Sequence, residues 1–216
     1  MNIAEYIDHT LLKPNTTAEM LKKHCQEAME YNFYSVCIQP CWIEYAKQIL
    51  KSSDIKICTV ISFPMGSDFP NVKAYAAQEA IKMGADEIDM VINLSAASDQ
   101  RWQNIYAETV AVKRAIGNKI LKVILETGYL EPETIKELSA VVANAGADFI
   151  KTSTGLGPRG ASIEDIKIIR SAVTKEIKIK AAGGISDAKT ALAMIGAGAD
   201  RIGTSSGIKI VEQLLY

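Results

Sequence analysis

The stretch GADFIK, residues 146–151, joins the end of a helical pattern to a short apolar run. The same frame, G-A-D-x-I-X, recurs at residues 84–89 and 198–203. Glycine at a helix end supplies the left-handed residue that terminates the helix, and the apolar residues that follow are typical of a buried strand. The repeat therefore predicts three equivalent helix-to-strand junctions, with the variable residue X at the same strand position in each.

Outward from these junctions, short β-branched runs alternate with helical patterns and no linker separates them. Most runs are apolar on both faces, as in a parallel sheet covered by helices. The pattern predicts one catalytic domain over 1–216, an α/β fold that closes into a (β/α)8 TIM barrel, with an open doubly wound sheet as the alternative. In either fold the active site lies at the C-terminal mouth of the strands. The predicted strands are 6–10, 34–38, 56–61, 87–92, 120–125, 148–152, 177–181 and 200–204.

Several helix starts can be predicted from capping residues. Residues 16–19, TTAE, resemble a capping box at the start of the first helix. Pro132 suits the first turn of a later helix that runs to about Val142. Ser162 and Ser186 are candidate N-caps for two more helices.

Composition excludes several classes of protein. The chain has 216 residues, 24 basic and 25 acidic side chains and a formal net charge of −1, which argues against a nucleic-acid-binding or membrane-surface protein. The first 13 residues do not resemble a secretory signal, and no apolar run is long enough to span a membrane. The four cysteines form no C-x-x-C pair, and the two histidines lie outside any zinc spacing. We therefore expect a reduced cytoplasmic protein without a structural metal.

The X residues of the repeated frame are Asp89, Lys151 and Gly203, and Lys122 and Lys180 occupy similar positions in two other strands. A lysine inside a core strand is unusual, because lysine is almost never fully buried unless it is paired. These side chains should converge at the barrel mouth, where three lysines against one aspartate leave excess positive charge. Lysine responds to such an environment with a lowered pKa. The alternative is a satisfied ion-pair cluster.

A lysine with a lowered pKa is a candidate nucleophile. Free lysine has a pKa of about 10.4, and a second ammonium nearby favours the uncharged amine that forms Schiff bases. Lys151 and Lys180 are therefore predicted to be a nucleophile and its cationic activator, although spacing leaves open which is which. Asp89 could then transfer protons, directly or through water.

Two glycine-rich segments follow the last two predicted strands. Residues 183–187, GGISD, and 203–207, GTSSG, each lead into a helical pattern. Glycine lets the backbone approach an anion, and helix N-termini present free N–H groups. The segments predict a phosphate site, although ordinary turn chemistry also favours glycine and serine.

Other candidates are weaker. Asp8 and His9 could form an acid–base pair, or they could belong to a hydrogen-bond network at the barrel mouth. Cys37 could line the pocket, although buried cysteine usually acts as a small hydrophobe.

Six motifs in order, IDHTLLKP, EIDMVIN, KVILETG, FIKTSTG, KAAGGI and RIGTSSG, resemble those of the class I deoxyribose-phosphate aldolases. The resemblance runs from Tyr6 to about Gly207. It implies a (β/α)8 barrel that reversibly cleaves 2-deoxy-D-ribose 5-phosphate to D-glyceraldehyde 3-phosphate and acetaldehyde. It further implies that Lys151 forms the Schiff base, that Lys180 is its acid–base neighbour and that Asp89 shuttles protons.

The remaining expectations concern supporting groups and partners. We expect small phosphosugar and aldehyde substrates, no cofactor or metal, and no nucleic-acid or membrane partner. A homodimer or homotetramer is possible. The supporting residues are Asp8, Lys122, Cys37 and Thr152, and the phosphate-binding residues are Gly155, Gly183, Gly184, Gly203, Ser205 and Ser206.

The chain also departs from the family pattern. Gln39 stands where the family often has asparagine, and Ser62 replaces a frequent glycine. Residues 94–99 lack the usual glycine-and-lysine loop, and residues 156–160 replace a more polar stretch. Two other functions remain as alternatives: another Schiff-base barrel such as a transaldolase-like enzyme, or a phosphosugar-binding barrel without catalysis.

Overall fold

Eight parallel strands form the centre of the protein in a computed structural model that describes residues 2–215. The last strand pairs with the first, Asp8 opposite Gly203, so the sheet closes into a barrel. The predicted TIM barrel is therefore confirmed, and the open sheet is wrong. The strands are β1 (Ile7–Leu11), β2 (Ser35–Ile38), β3 (Lys56–Ile61), β4 (Glu87–Val91), β5 (Ile120–Ile124), β6 (Phe149–Lys151), β7 (Lys178–Ala182) and β8 (Arg201–Thr204).

Helices separate consecutive strands and cover the outside of the barrel. Isoleucine, leucine, valine and alanine side chains fill the layer between strands and helices and form the main apolar core. No helix within residues 2–215 is long and apolar enough to cross a membrane. The helices are α1 (Ala18–Glu30), α2 (Ile43–Leu50), α3 (Pro70–Met83), α4 (Leu94–Ser98), α5 (Trp102–Ile116), α6 (Pro132–Asn144), α7 (Ile163–Ala172), α8 (Ala188–Gly196) and α9 (Gly207–Glu212).

The repeated G-A-D frame has a structural cause at each of its three sites. Gly84, Gly146 and Gly198 adopt positive φ angles of 119°, 94° and 114°, which glycine tolerates without steric cost. The aspartate two residues later then accepts a hydrogen bond from a backbone N–H at the start of the preceding strand. Asp148, for example, accepts from Leu121 N at 2.7 Å. The frame thus ends a helix and ties the next strand to its neighbour.

The other two junctions repeat this bond. Asp86 accepts from Ile57 N at 3.1 Å, and Asp200 accepts from Ile179 N at 2.8 Å. As predicted, X is the third residue of its strand each time, at Asp89 in β4, at Lys151 in β6 and at Gly203 in β8. Lys122 and Lys180 are likewise the third residues of β5 and β7.

Two of the four predicted helix starts are confirmed. Pro132 is the first residue of α6. Ser162 caps α7, and Asp165 completes a reciprocal capping box with it. The capping residues of α1 and α8 are each one position later than predicted.

Thr17, not Thr16, caps α1 by accepting Met20 N–H at 3.2 Å, because the Thr16 hydroxyl instead donates to the Lys13 carbonyl at 2.7 Å. The predicted capping box over residues 16–19 is therefore wrong. Asp187, not Ser186, caps α8 and accepts Thr190 N–H at 2.8 Å. A carboxylate there also neutralises the partial positive charge of the helix N-terminus.

Candidate active site

Asp89 lies at the centre of a buried charge cluster inside the barrel. Its Oδ1 accepts a hydrogen bond from Lys122 Nζ at 2.8 Å. Its Oδ2 accepts two, from Lys151 Nζ at 2.9 Å and from Lys180 Nζ at 2.8 Å. All four side chains are at most 3% exposed. The structure therefore brings together the three residues that the sequence predicted to be catalytic.

Two further carboxylates complete the cluster. Asp8 Oδ2 lies 2.5 Å from Lys180 Nζ, and Glu87 Oε2 lies 2.6 Å from Lys122 Nζ. Arg201 adds a fourth cation, with Nη1 at 2.7 Å from Asp8 Oδ1. The prediction of three lysines against one aspartate was therefore incomplete, because four cations face three carboxylates and the net excess is one positive charge.

This pairing shifts the pKa values of most of the cluster. Burial lowers the pKa of Lys180, but Asp8 and Asp89 outweigh burial, and the resulting pKa is above its usual value. Burial also lowers the pKa of Lys122, but Asp89, Cys58, Glu87 and Asp8 together raise it well above its usual value. Burial raises the pKa of Asp89, yet the three lysines hold that pKa well below its usual range. The expectation of lowered lysine pKa values is therefore wrong for Lys122 and Lys180.

Glu87 and Arg201 were missed by sequence reasoning, although the alternation of a strand could have revealed them. Each lies two residues before an X position, Asp89 or Gly203, and therefore faces the same interior. Gly203 itself makes room for a lysine, because a Cβ there would lie 2.9 Å from Lys180 Cε.

A cavity of about 430 Å³ opens at the C-terminal mouth directly above this cluster. Lys151 lines it, whereas Asp89, Lys122 and Lys180 lie behind Lys151 and do not. All six residues predicted to bind phosphate line the same cavity: Gly155, Gly183, Gly184, Gly203, Ser205 and Ser206.

Backbone donors in the cavity wall come from the loops after β7 and β8. Gly183 and Gly184 have positive φ angles of 89° and 75°. Their N–H groups and that of Ser205 donate no hydrogen bond to any of residues 2–215. Three backbone donors are therefore free to bind a ligand.

At α8 the expected contribution of the helix N-terminus is wrong, because the Asp187 carboxylate already occupies that terminus. At α9 the Ser206 N–H is bound to Thr204 Oγ1 at 2.9 Å. The loop backbone of Gly183, Gly184 and Ser205 therefore supplies free donors before either helix begins.

Glu126 anchors the loop that follows β6. It is 2% exposed and has a positive φ of 56°, which is unusual for a residue other than glycine. Its Oε2 accepts the Thr154 N–H at 3.1 Å and also the Thr154 hydroxyl. Thr154 lines the cavity three residues after Lys151. Glu126 and Thr154 belong to the motifs KVILETG and FIKTSTG, but no role had been predicted for either residue.

The remaining predicted residues, Asp8, His9, Cys37 and Thr152, lie in different parts of the structure. Asp8 and His9 do not form an acid–base pair, because they point to opposite faces of β1. His9 faces α1, where its ring stacks on His24 with centroids 3.9 Å apart. Cys37 is buried beside Cys58 and does not line the cavity. Thr152 ties β6 to β7, since its Oγ1 accepts Ala182 N–H at 3.1 Å.

Three groups of described residues have donor atoms close enough to consider as metal ligands. Two of them, Cys37 with Cys58 and Asp89, and Asp8 with Cys58 and Glu87, share Cys58. Lys122 Nζ lies 3.2 Å from Cys58 Sγ, so a metal cation in either group would lie close to an amino group. The third group is His9, His24 and Glu27, on the outside of the barrel. Their two rings are nearly parallel, at 13°, so the nitrogen lone pairs do not converge on one point.

The altered loops have defined conformations. Residues 94–98 form the short helix α4, capped by Asn93, whose side chain accepts Ala96 N–H at 3.0 Å. Arg159 pairs with Asp165 at the start of α7. Ser62 has a positive φ of 51°, which explains why glycine would suit this position. The structure gives no reason for Gln39, whose side chain makes no cap hydrogen bond.

Comparison with known proteins agrees with this architecture. A deoxyribose-phosphate aldolase of Caldanaerobacter subterraneus subsp. tengcongensis is 50% identical to this chain, over 99% of this chain and 94% of its own length. A solved deoxyribose phosphate aldolase of Aeropyrum pernix, described as tetrameric, superposes with a TM-score of 0.91 and 34% identity, covering 99% of this chain and 91% of its own. Residues 3–213 match the model of the DeoC/LacD family aldolases. The chain belongs to the DeoC/LacD aldolase family.

Proposed function

We propose that this enzyme reversibly cleaves 2-deoxy-D-ribose 5-phosphate to D-glyceraldehyde 3-phosphate and acetaldehyde, through a Schiff base on Lys151. The relatives that are about 50% identical over nearly the whole chain are named for this substrate. Enzymes of this name are lyases, and the family is one of aldolases.

The observation that carries the assignment is the position of Lys151. Four cations lie in the barrel interior, and of these only Lys151 lines the cavity formed by the described residues. Lys180 and Lys122 are 0% exposed, and their neighbouring carboxylates raise their pKa values. A nucleophilic amine must reach the substrate carbonyl, and the position of Lys151 in the cavity wall supports it as that amine.

Carbon counting fixes the bond that breaks. Acetaldehyde contains C1 and C2 of the sugar, so cleavage separates C2 from C3. The uncharged Lys151 amine adds to C1 of the open-chain aldehyde, and loss of water gives an iminium ion. As the C3 hydroxyl loses its proton, the C2–C3 electron pair moves into the iminium, which leaves glyceraldehyde 3-phosphate and an enamine. Protonation of the enamine at C2 and hydrolysis then release acetaldehyde and the free amine.

Asp89 and Lys180 fit the roles of proton carriers. The Asp89 carboxylate contacts both Lys151 and Lys180, so a proton can pass along these hydrogen bonds or through water. The fixed positive charge of Lys180 also opposes a second ammonium on Lys151 and favours the amine that reacts. Asp8 contacts Lys180 and Lys122 contacts Asp89, so these two residues hold the two proton carriers in place.

Two other predicted residues support the site from behind. Thr152 holds β6 against β7 next to Lys151. The Cys37 side chain lies in a small apolar cluster with Cys58 and Val60, and Cys58 Sγ lies 3.1 Å from Asp89 Oδ1. We assign Cys37 a packing role beneath the catalytic carboxylate.

The substrate phosphate is proposed to bind at the loops after β6, β7 and β8. Free N–H groups of Gly183, Gly184 and Ser205 and the Ser206 hydroxyl would donate to it, and oriented backbone donors of this kind bind anions. Gly155 and Gly203 also line this cavity, and a Cβ on Gly155 would lie 3.7 Å from Gly183 Cα.

Borohydride trapping tests the covalent step. Incubation with acetaldehyde and borohydride should add one two-carbon group, and peptide mapping should place it on Lys151. The matched variants are Lys151→Met, which should lose the adduct, and Lys136→Met on the outer helix α6, which should keep it. Modification mainly at Lys122 or Lys180 would overturn the assignment.

Product analysis separates the two alternative functions. A transaldolase-like enzyme would transfer a dihydroxyacetone unit rather than release acetaldehyde. A non-catalytic binding barrel would release neither product and would not need the buried contact between Lys151, Asp89 and Lys180.

We further propose a cytoplasmic homo-oligomer. The Aeropyrum pernix relative is described as tetrameric. In this chain Phe69 and Tyr75, at and near the start of α3, are 77% and 65% exposed, and exposed aromatic side chains are enriched at protein interfaces. Sedimentation equilibrium would distinguish a monomer, a dimer and a tetramer.

A further inference from the structure

Lys13 lies two residues after the end of β1 and lines the same cavity as Lys151. Its side chain is exposed to solvent at the cavity mouth. The cavity wall near it includes the loops after β7 and β8, where the free N–H groups of Gly183, Gly184 and Ser205 lie. Lys13 was part of a recognised motif, but no role had been predicted for it.

The Lys13 ammonium has no partner in the part of the chain that the structure describes. It forms no ion pair or hydrogen bond with any of residues 2–215, whereas Lys151 is held by Asp89 at 2.9 Å. The backbone around Lys13 is nevertheless fixed, because its carbonyl accepts both the Thr16 N–H at 3.2 Å and the Thr16 hydroxyl at 2.7 Å. Its charge therefore has no structural task in the fold.

The charge of the cavity wall favours an anionic ligand. Lys13 and Lys151 both line it, and no aspartate or glutamate among the described residues does. Because Lys151 must lose its charge to react, Lys13 is the cation that stays available through the catalytic cycle.

We propose that Lys13 determines the preference for phosphorylated substrates by pairing with the phosphate dianion bound to the loops after β7 and β8. This inference rests on the proposed function and adds a residue to it. Lys13 would form no contact with an unphosphorylated sugar. Because the exposed side chain has no partner among the described residues, its ammonium is available when the phosphate binds.

Steady-state kinetics with two substrates tests this role. Lys13→Met should raise KM for 2-deoxy-D-ribose 5-phosphate at least tenfold, with kcat within about twofold. KM for unphosphorylated 2-deoxy-D-ribose should not change. Lys13→Arg keeps the charge and should stay within about threefold of the wild type on both substrates. Lys23→Met, which removes an exposed lysine from α1, is the control and should change neither KM.

A direct binding measurement separates this proposal from the proposed function. Calorimetric titration with inorganic phosphate should show weaker binding to Lys13→Met than to the wild type, and the difference should shrink as salt is added. If the wild type binds phosphate but does not cleave the sugar phosphate, the proposed function fails and the role of Lys13 in phosphate binding stands. Equal phosphate affinity in the two proteins, or equal KM changes on both sugars, would overturn the role of Lys13.

Discussion

Lys151 and Lys180 donate hydrogen bonds to the same oxygen, Asp89 Oδ2, at 2.9 Å and 2.8 Å. Two ammonium ions that share one oxygen must lie close together, and each makes the charge of the other less favourable. Lys180 has a second carboxylate, Asp8, at 2.5 Å, whereas Asp89 is the one carboxylate among residues 2–215 that pairs with Lys151. Lys180 therefore has two carboxylate partners and a raised pKa, whereas Lys151 has one partner and lines the cavity.

The first prediction concerns this shared oxygen. Lys180→Met removes the fixed charge and keeps much of the side-chain volume, so Lys151 loses the repulsion that favours its amine form. Schiff-base formation with acetaldehyde should slow by on the order of tenfold at pH 7, which corresponds to about 1.4 kcal/mol, and should recover as pH rises. Stopped-flow kinetics between pH 6 and 10 would measure this.

The matched control is Lys122→Met, which removes a lysine from the other oxygen of Asp89. Both variants disturb the buried cluster, so circular dichroism and thermal unfolding must first establish that each one folds. A smaller pH shift in Lys122→Met than in Lys180→Met supports the role of the shared oxygen. Adduct formation by folded Lys180→Met at the wild-type rate at pH 7 would falsify the electrostatic role and leave Lys180 as a proton relay.

Strand positions could be predicted because the signal is local. In each G-A-D frame a glycine ends the helix and an aspartate binds the neighbouring strand. Three consecutive residues therefore predict both the end of the helix and the start of the next strand. The barrel interior was predicted less completely. Arg201 and Glu87 belong to β8 and β4, and their ion partners Asp8 and Lys122 come from β1 and β5. Such pairs depend on barrel closure and register, which no local pattern encodes.

Glu126 could not have been found from spacing, because its role depends on a contact with Thr154, 28 residues later in the chain. We predict that Glu126→Ala raises KM or lowers kcat by on the order of tenfold, since the Thr154 N–H would lose its acceptor and buried unpaired donors cost about 1–3 kcal/mol. The loop after β6 would then hold the cavity wall less firmly. Steady-state kinetics with the phosphorylated sugar would show the loss.

Glu126→Gln keeps one acceptor oxygen and the side-chain shape, so it should retain most of the activity. Thr154→Val removes the hydroxyl that Glu126 binds, and the double variant Glu126→Ala/Thr154→Val should lose less than the sum of the two single losses. Strict additivity would mean that the two residues do not act through each other.

Ser62 offers a test of backbone strain. Its φ of 51° lies in the left-handed region, which costs a residue with a Cβ roughly 1–2 kcal/mol. Ser62→Gly removes that cost, although glycine also raises the entropy of the unfolded chain by about 0.4–1 kcal/mol. The free energy of unfolding should therefore rise by roughly 0–1.6 kcal/mol. Ser62→Ala keeps the strain and should be less stable than Ser62→Gly, the reverse of the usual order, in urea denaturation.

The stacked histidines on the outside of β1 give the last prediction. Burial, together with the neighbouring His9 ring, lowers the pKa of His24 from 6.5 to about 3. In the unfolded chain His24 therefore binds a proton as pH falls through 6.5. In the folded protein it stays uncharged until pH approaches about 3. Above pH 6.5 this group adds no pH dependence, and below it the free energy of unfolding falls as pH falls. The expected loss from His24 alone is about 2 kcal/mol between pH 7 and 5.

His24→Gln should remove that part of the pH dependence, because glutamine can place a donor near the His9 carbonyl, which His24 Nε2 now contacts at 3.0 Å, and does not titrate. The measurement is the change in the free energy of unfolding from pH 7 to 5, by urea denaturation. The change, not the absolute stability, is compared, because the variant also loses the stacking on His9.

Asp8 and Asp89 do not interfere, since carboxylates with lowered pKa values contribute to acid unfolding only as pH approaches 3.8 and falls below it. His9 still titrates in the variant, from 6.5 in the unfolded chain to about 4 when folded, so a shallower slope rather than a flat one is expected. If the free energy of unfolding depends on pH equally in His24→Gln and in the wild type, His24 takes up its proton in the folded protein as readily as in the unfolded chain. Glu27, 3.1 Å from His9 Nε2, would then be the nearby negative charge that stabilises the protonated ring.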